Sequence, residues 1–193
     1  MTAITRRALD DPPGGALLWI VVALELLTFT MVFVALAVFR GRQPALFAAG
    51  QDALDARLGL ALTLVLVTSG ALAAGGVHAL RRGRPARARR LLLAAATTGI
   101  VFVAVKAFDY RAHAAAGHVL GADDFWDAYV LATGFHLAHV LVGIALLFAA
   151  VRGLGGAPTE DHETTVAGSA LFWHMCDLAW FFLFPLFYAK VVT

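Results

Sequence analysis

The sequence predicts an all-α, polytopic membrane protein: a bundle of about five transmembrane helices with its N-terminus inside and its C-terminus outside. Two observations carry the class. Of the 193 residues, 61% are hydrophobic and only 15% are charged, and mean hydropathy is +0.79. Soluble domains sit nearer half apolar and a quarter charged. The apolar residues also gather into long runs, and a helix crossing a bilayer needs roughly 20 of them. The single cysteine, Cys176, allows no internal disulfide and no cysteine pair for an iron–sulfur cluster or zinc.

The first span is expected over about residues 16–39, ending at Arg40-Gly41-Arg42-Gln43-Pro44. Its apolar run exceeds the roughly 7–15 residues of a signal-peptide core, so it is read as a retained helix. A loop containing Asp52 and Asp55 leads to a second span over about 58–80. The arginine-rich tract from Arg81 to Arg90 separates it from a third over about 91–110. A polar loop with His113, His118, Asp123 and Asp124 precedes a fourth over about 127–151. A Gly/Pro/acidic loop from Gly153 to Gly168 precedes the fifth, over about 169–191, where Pro185 is expected to bend the helix end. The five spans form one domain covering residues 1–193.

Basic residues set the orientation. With the N-terminus inside, nine fall on the inner side: Arg6, Arg7, the six arginines from Arg81 to Arg90, and Arg152. Five fall outside: Arg40, Arg42, Arg57, Arg111 and Lys190. In this juxtamembrane setting the arginine tract reads as an orientation signal or a contact for anionic lipid, with nucleic acid a remote alternative.

Ionisable groups in a lipid-exposed span cost several kcal/mol, so those present face the bundle interior and find partners. The set comprises Glu25 in the first span, His78 near the end of the second, Lys106 and Asp109 in the third, His136 and His139 in the fourth, and His174 and Asp177 in the fifth. Lys106/Asp109, His136/His139 and His174/Asp177 are spaced i, i+3, which places each pair on one helix face. Lys106–Asp109 and His174–Asp177 read first as structural neutralisation within their helices. The histidines of the second, fourth and fifth spans also permit a haem or metal site, although no spacing selects one. Glu25, alone among apolar neighbours in the sequence, is the best candidate for a proton-exchanging group. No Ser/His/Asp or Cys/His catalytic order and no phosphate loop is visible. The aromatic cluster of the fifth span (Trp173, Trp180, Phe181, Phe182, Phe184, Phe187) reads as packing and interface anchoring.

These residues carry a resemblance. Phe172-Trp173-His174-Met175-Cys176-Asp177-Leu178-Ala179-Trp180 resembles the last-helix signature of cytochrome c oxidase subunit III. Thr133-Gly134-Phe135-His136-Leu137-Ala138-His139 is similar to that family's double-histidine helix, and Val105-Lys106-Ala107-Phe108-Asp109-Tyr110 to its Gln-Ala-x-Glu-Tyr segment. Leu66-Val67-Thr68-Ser69-Gly70 with His78 resembles another of its helices, and Glu25 falls where the family places a carbodiimide-reactive membrane glutamate. The matches arrive in family order. Lys106 replaces the usual glutamine, Asp109 a glutamate and Leu137 a glycine, and counterparts of the family's first two helices are not seen. Those departures resemble a short five-helix branch associated with nitric oxide reductases, the NorE-like proteins. The family forms a lipid-filled cleft between its first two helices and the other five.

The resemblance implies a non-catalytic subunit of a haem-copper respiratory complex, either a terminal oxidase or a nitric oxide reductase. Such a subunit supports assembly, proton uptake and stability of its partner in the bacterial inner membrane. It implies no catalytic, cofactor-binding or metal-ligating residue in this chain. Haem and copper or iron belong to a catalytic subunit I, and phospholipid is expected against the bundle. Two other readings stay open: an independent haem-binding electron carrier and a small proton-coupled transporter.

Overall fold

A computed structural model describes residues 14–154 and 160–189, with Glu160 and Asp161 described by backbone only. Within them lie six helices: α1 (Gly15–Arg42), α2 (Pro44–Ala53), α3 (Ala56–Arg81), α4 (Pro85–Ala115), α5 (Asp124–Gly153) and α6 (Glu160–Tyr188). No strand occurs among the described residues. Five helices, all but α2, are long and apolar enough to cross a membrane. The predicted all-α bundle of five spans is therefore what the chain forms. Arg6, Arg7, Lys190 and the end of the fifth predicted span lie outside the described residues.

Helix ends differ from the sequence expectation in a consistent way. α4 begins at Pro85, inside the arginine tract, and α6 begins at Glu160, inside the expected acidic loop. Hydropathy marks where a span is apolar. A helix continues past that point as long as its backbone bonds are satisfied and its polar side chains reach water or headgroups. Pro85 supports an early start because a first-turn residue has no intrahelical use for its N–H. Asp55 caps α3 by accepting from the backbone N–H of Arg57 at 2.8 Å and Leu58 at 3.3 Å. Asp123 caps α5 by accepting from the Trp126 N–H at 3.0 Å.

α3 and α4 form a tight antiparallel hairpin turned at Gly83, whose φ of +67° favours glycine. Their seam is made of small residues, with Ala73, Ala88, Ala95 and Ala96 fully or nearly buried. Small side chains let membrane helices approach closely where no hydrophobic force drives them together. Ser69 Oγ donates across this seam to the Ala95 carbonyl at 2.7 Å. Trp173 of α6 then wedges between α4 and α5. A Cβ at Gly99 would sit 2.5 Å from its ring, and one at Gly143 would sit 2.7 Å from it.

α1 is held differently. Only Val22, Phe29 and Leu36 are buried along it, one residue every seven, which is a single narrow seam. α2 occupies the stretch read as a loop. It inserts Phe47 against Phe39, Phe125 and Phe187, with ring centroids 5.2–6.5 Å apart. Gly50 leaves room for the Phe125 ring, which a Cβ there would strike. Across this corner Arg40 donates to the carbonyls of Leu186 (3.3 Å) and Ala189 (3.1 Å), and Gln51 Nε2 donates to the same two at 3.1 and 3.2 Å. The carbonyls at the end of a helix lack intrahelical partners and carry its negative pole. α1 and α2 thus close the C-terminal end of α6, which runs through Pro185 to Tyr188.

Candidate functional site: two polar clusters between the helices

The larger cluster is built on Lys106, whose side chain is 1% exposed. Its three ammonium protons have three acceptors: Asp109 Oδ2 at 2.8 Å, Tyr188 Oη at 3.3 Å, and Tyr129 Oη in a short contact. Tyr129 Oη donates to Asp109 Oδ2 at 2.9 Å. Its single proton being spent there, the 2.9 Å contact with Tyr188 requires Tyr188 to donate. The other carboxylate oxygen, Asp109 Oδ1, faces His113 Nε2 at 3.3 Å. The Lys106 charge also lies 4.4 Å from the Tyr129 ring centroid and 4.8 Å from that of Tyr110, distances at which a ring face attracts a cation. Every proton of Lys106, Tyr129 and Tyr188 therefore has a fixed place. The i, i+3 pair legible in the sequence exists, and two tyrosines from α5 and α6 complete it.

Beside it, Tyr110 Oη and Thr133 Oγ1 lie 2.6 Å apart. Thr133 donates to the Tyr129 carbonyl at 2.5 Å, so the shared contact is a bond from Tyr110 to Thr133. Thr63, an α3 residue, accepts from the Trp180 indole at 2.9 Å.

The second cluster joins helices that the sequence leaves apart. Glu25 of α1, solitary in its own span, meets His139 of α5, with Oε2 3.0 Å from Nε2. His139 Nδ1 lies 2.8 Å from the Phe135 carbonyl. A carbonyl only accepts, so Nδ1 carries a proton and the neutral ring offers a lone pair at Nε2. The Nε2–Oε2 contact therefore holds one further proton, resting either on the carboxyl or on the ring. Their side chains are 30% and 13% exposed.

His136 lies one turn from His139 yet takes no part in that bond. It is 0% exposed, and neither ring nitrogen has a hydrogen-bond partner among the described residues. Phe29, Phe102 and Trp180 wall it in at centroid distances of 5.4–6.4 Å. His174 Nδ1 and Asp177 Oδ2 form the expected pair at 3.3 Å, against a notch at Gly70 where a Cβ would strike Asp177. His174 sits at the middle of its span and is 45% exposed, and Asp177 Oδ1 has no partner among the described residues. His78 is exposed near the end of α3, and no described hydrogen bond ties its side chain to the other candidates. The four candidate histidines, His78, His136, His139 and His174, are thus not gathered around one point. Among the described residues no group of three or more His, Cys, Asp or Glu side chains is placed to hold a metal ion.

Sequence reading missed Tyr129 and Tyr188, and quoted Tyr110 and Thr133 only within motifs, without a role. Tyrosines at span ends pass for interface anchors. The signal that was present is the spacing Tyr129, Thr133, His136, His139, which falls on one broad helix face.

Two open clefts flank α1. One, of about 700 Å³, separates it from α5 and is lined by Val32, Leu36, Leu131 and Phe135, with Asp124 and Asp127 at one end. The other, also about 700 Å³, lies against α6 between Phe29, Phe33, Phe182 and Arg40.

Five apolar spans enclosing a neutralised polar interior define a multi-pass membrane protein. The family model for cytochrome c oxidase subunit III matches residues 16–191, and the chain belongs to that family. It is 30% identical over 193 residues to the probable cytochrome c oxidase subunit 3 of Mycobacterium tuberculosis, covering 97% of this chain and 94% of the relative. It is 32% identical over 127 residues to cytochrome c oxidase subunit 3 of Arabidopsis thaliana and of Triticum aestivum. Those matches take in 65% of this chain and 47% of each plant protein, so the chain spans about half the length of its plant relatives.

Proposed function

We propose that this chain is a non-catalytic subunit of a haem-copper respiratory complex in a bacterial plasma membrane. It docks through its membrane faces against a catalytic, haem-bearing subunit I and supports that subunit's assembly, proton uptake and stability. One observation carries the reading beyond family membership: the exposed His174 at mid-span, backed by Asp177. An ionisable side chain facing hydrocarbon is costly, and the cost is removed when a neighbouring polypeptide covers it. Subunit 3 proteins of cytochrome c oxidases are the relatives, which supports an oxidase as the parent complex. The lysine at position 106, the leucine at position 137 and the five-span form support the NorE-like branch and a nitric oxide reductase as parent. Phospholipid fills the clefts beside α1 in either case.

The decisive experiment is a mild-detergent pull-down of the tagged full-length chain from its native membranes, with visible spectra and mass spectrometry of the co-purifying proteins. A large haem subunit is expected among them, and its oxygen or nitric oxide reductase activity decides between the two parents. Recovery of the chain alone and colourless overturns stable membership. Recovery alone with a Soret band makes it a haem carrier in its own right.

A further inference from the structure

A half-exposed ionisable pair at mid-span requires a neighbour, and its proton count says which kind. His174 turns its Nδ1 edge inward: Nδ1 lies 3.3 Å from Asp177 Oδ2, and a Cβ on Gly70 of α3 would sit 3.3 Å from it. Among the described residues no hydrogen bond engages Nε2, on the far edge of the ring. A net charge in hydrocarbon is costly, so the pair rests neutral, with two exchangeable protons. One occupies the Nδ1–Oδ2 contact, on either atom. Asp177 Oδ1 is buried without a partner among the described residues, so a proton there would be a stranded donor. The second proton therefore sits on Nε2, and the pair presents one N–H donor outward.

The surface around that donor is the seam between α3 and α6. On α3, Val67, Ala71 and Ala74 adjoin Gly70 and are exposed. On α6, Leu178 and Phe181 follow His174 one and two turns along and are exposed as well. The two alanines let another helix come close to α3. None of these five side chains carries a hydrogen-bond acceptor.

Neither lipid nor a second copy supplies one. His174 lies roughly 18 Å or more along the helix from either end of its apolar span, beyond the reach of headgroups. The clefts beside α1 differ, because their charged residues Asp124, Asp127 and Arg40 stand near helix ends, where headgroups are. A second copy facing this seam across a twofold axis along the membrane normal brings its own residues to the same depth. There His174 meets another N–H donor, or Val67, Gly70 and Ala71 of α3, whose side chains accept nothing.

We propose that the α3–α6 seam is the docking face for a transmembrane helix of the haem-bearing subunit, and that this helix places a hydroxyl or amide oxygen against His174 Nε2. The partner's identity rests on the membership proposed above. The place of the face and the acceptor it demands rest on the seam alone.

The test uses the tagged full-length chain in its native membranes. A benzophenone amino acid replaces Ala71 on the seam or, as a control outside it, Phe108 of α4, which is 71% exposed. After illumination the cross-linked peptides are identified by mass spectrometry. Ala71, and not Phe108, is expected to capture a membrane helix of the haem-bearing subunit, with Ser, Thr, Asn or Gln within one turn of the captured residue. Capture from Ala71 of lipid alone, of a second copy or of a helix without such a residue overturns the proposal, as does capture of the haem-bearing subunit from Phe108 only. If that subunit co-purifies while Ala71 captures none of it, the face is wrong and the membership stands; if it does not co-purify, both fail.

A second measurement reads the hydrogen bond itself. His174→Leu should lower the amount of haem-bearing subunit retained per chain on detergent washing about three- to tenfold. His174→Gln, which keeps an amide N–H near the place of Nε2, should restore most of it. Retention at the wild-type level by a folded His174→Leu chain overturns the donor's role, and if that chain does not fold the cross-linking decides.

Discussion

The two proton-bearing clusters solve one problem in opposite ways. Lys106 and Asp109 share a helix, lie almost wholly inside the bundle, and are closed by tyrosines from two other helices, so that every donor has its acceptor. Glu25 and His139 come from helices far apart in the chain, remain partly open, and share a single proton between two bases. The first arrangement fixes helices in place. The second ties α1, the helix with the narrowest seam, to α5 and stays partly exposed. Burial with full hydrogen bonding rigidifies the first cluster, whereas partial exposure leaves the second the weaker tie between its helices.

This contrast breaks most visibly at Lys106. Lys106→Met leaves the Asp109 carboxylate buried without its counter-charge, and unfolding in mild detergent should show a loss of about 3–5 kcal/mol. Adding Asp109→Asn to that variant should recover part of the loss. Equal stability of single and double variants would mean the pair is uncoupled. Tyr129→Phe removes the hydroxyl that Lys106, Tyr188 and Asp109 all use, at a cost of about 1–3 kcal/mol on the same assay. Arg40→Ala opens the capped end of α6 and should cost about 1 kcal/mol, with amide exchange rising first around Leu186 to Ala189. Glu25→Gln sits at the bottom of the scale, with about 0.6 kcal/mol lost. A loss at Glu25 as large as that at Lys106 would erase the distinction between the clusters.

Much of the fold is legible in the sequence, because its strongest signals are local. Five apolar runs fix five membrane-crossing helices, and an i, i+3 spacing fixes Lys106 against Asp109 and His174 against Asp177 without any knowledge of neighbouring helices. The contact of Glu25 with His139 depends on how α1 is rotated and which helix it faces, neither of which its nearly uniform apolar surface records. Tyr129 and Tyr188 escape for a related reason: their hydroxyls matter only once α5 and α6 bring them to Lys106. α2 escapes because Gly41, Pro44 and Asp52 are turn-forming residues, and its buried residues Phe47, Gly50 and Gln51 include one large apolar side chain, too little pattern to outweigh them. The arginine tract misleads only on the start of α4, since a charged residue outside the hydrocarbon is as content on a helix as in a loop.

The corner where Arg40 and Gln51 close the end of α6 has a consequence for how the protein is made. α1 is the first of these helices to leave the ribosome and α6 the last, yet the two are bound to one another through that corner and through the Phe33–Phe182 contact, with ring centroids 5.5 Å apart. During synthesis Arg40 of α1 therefore stays unmatched until α6 arrives, whereas Glu25 meets His139 one helix earlier, with α5. The closure at this corner is a long-range one, joining residues 146 and 149 positions apart in the chain, and it forms only after every helix between them is in place.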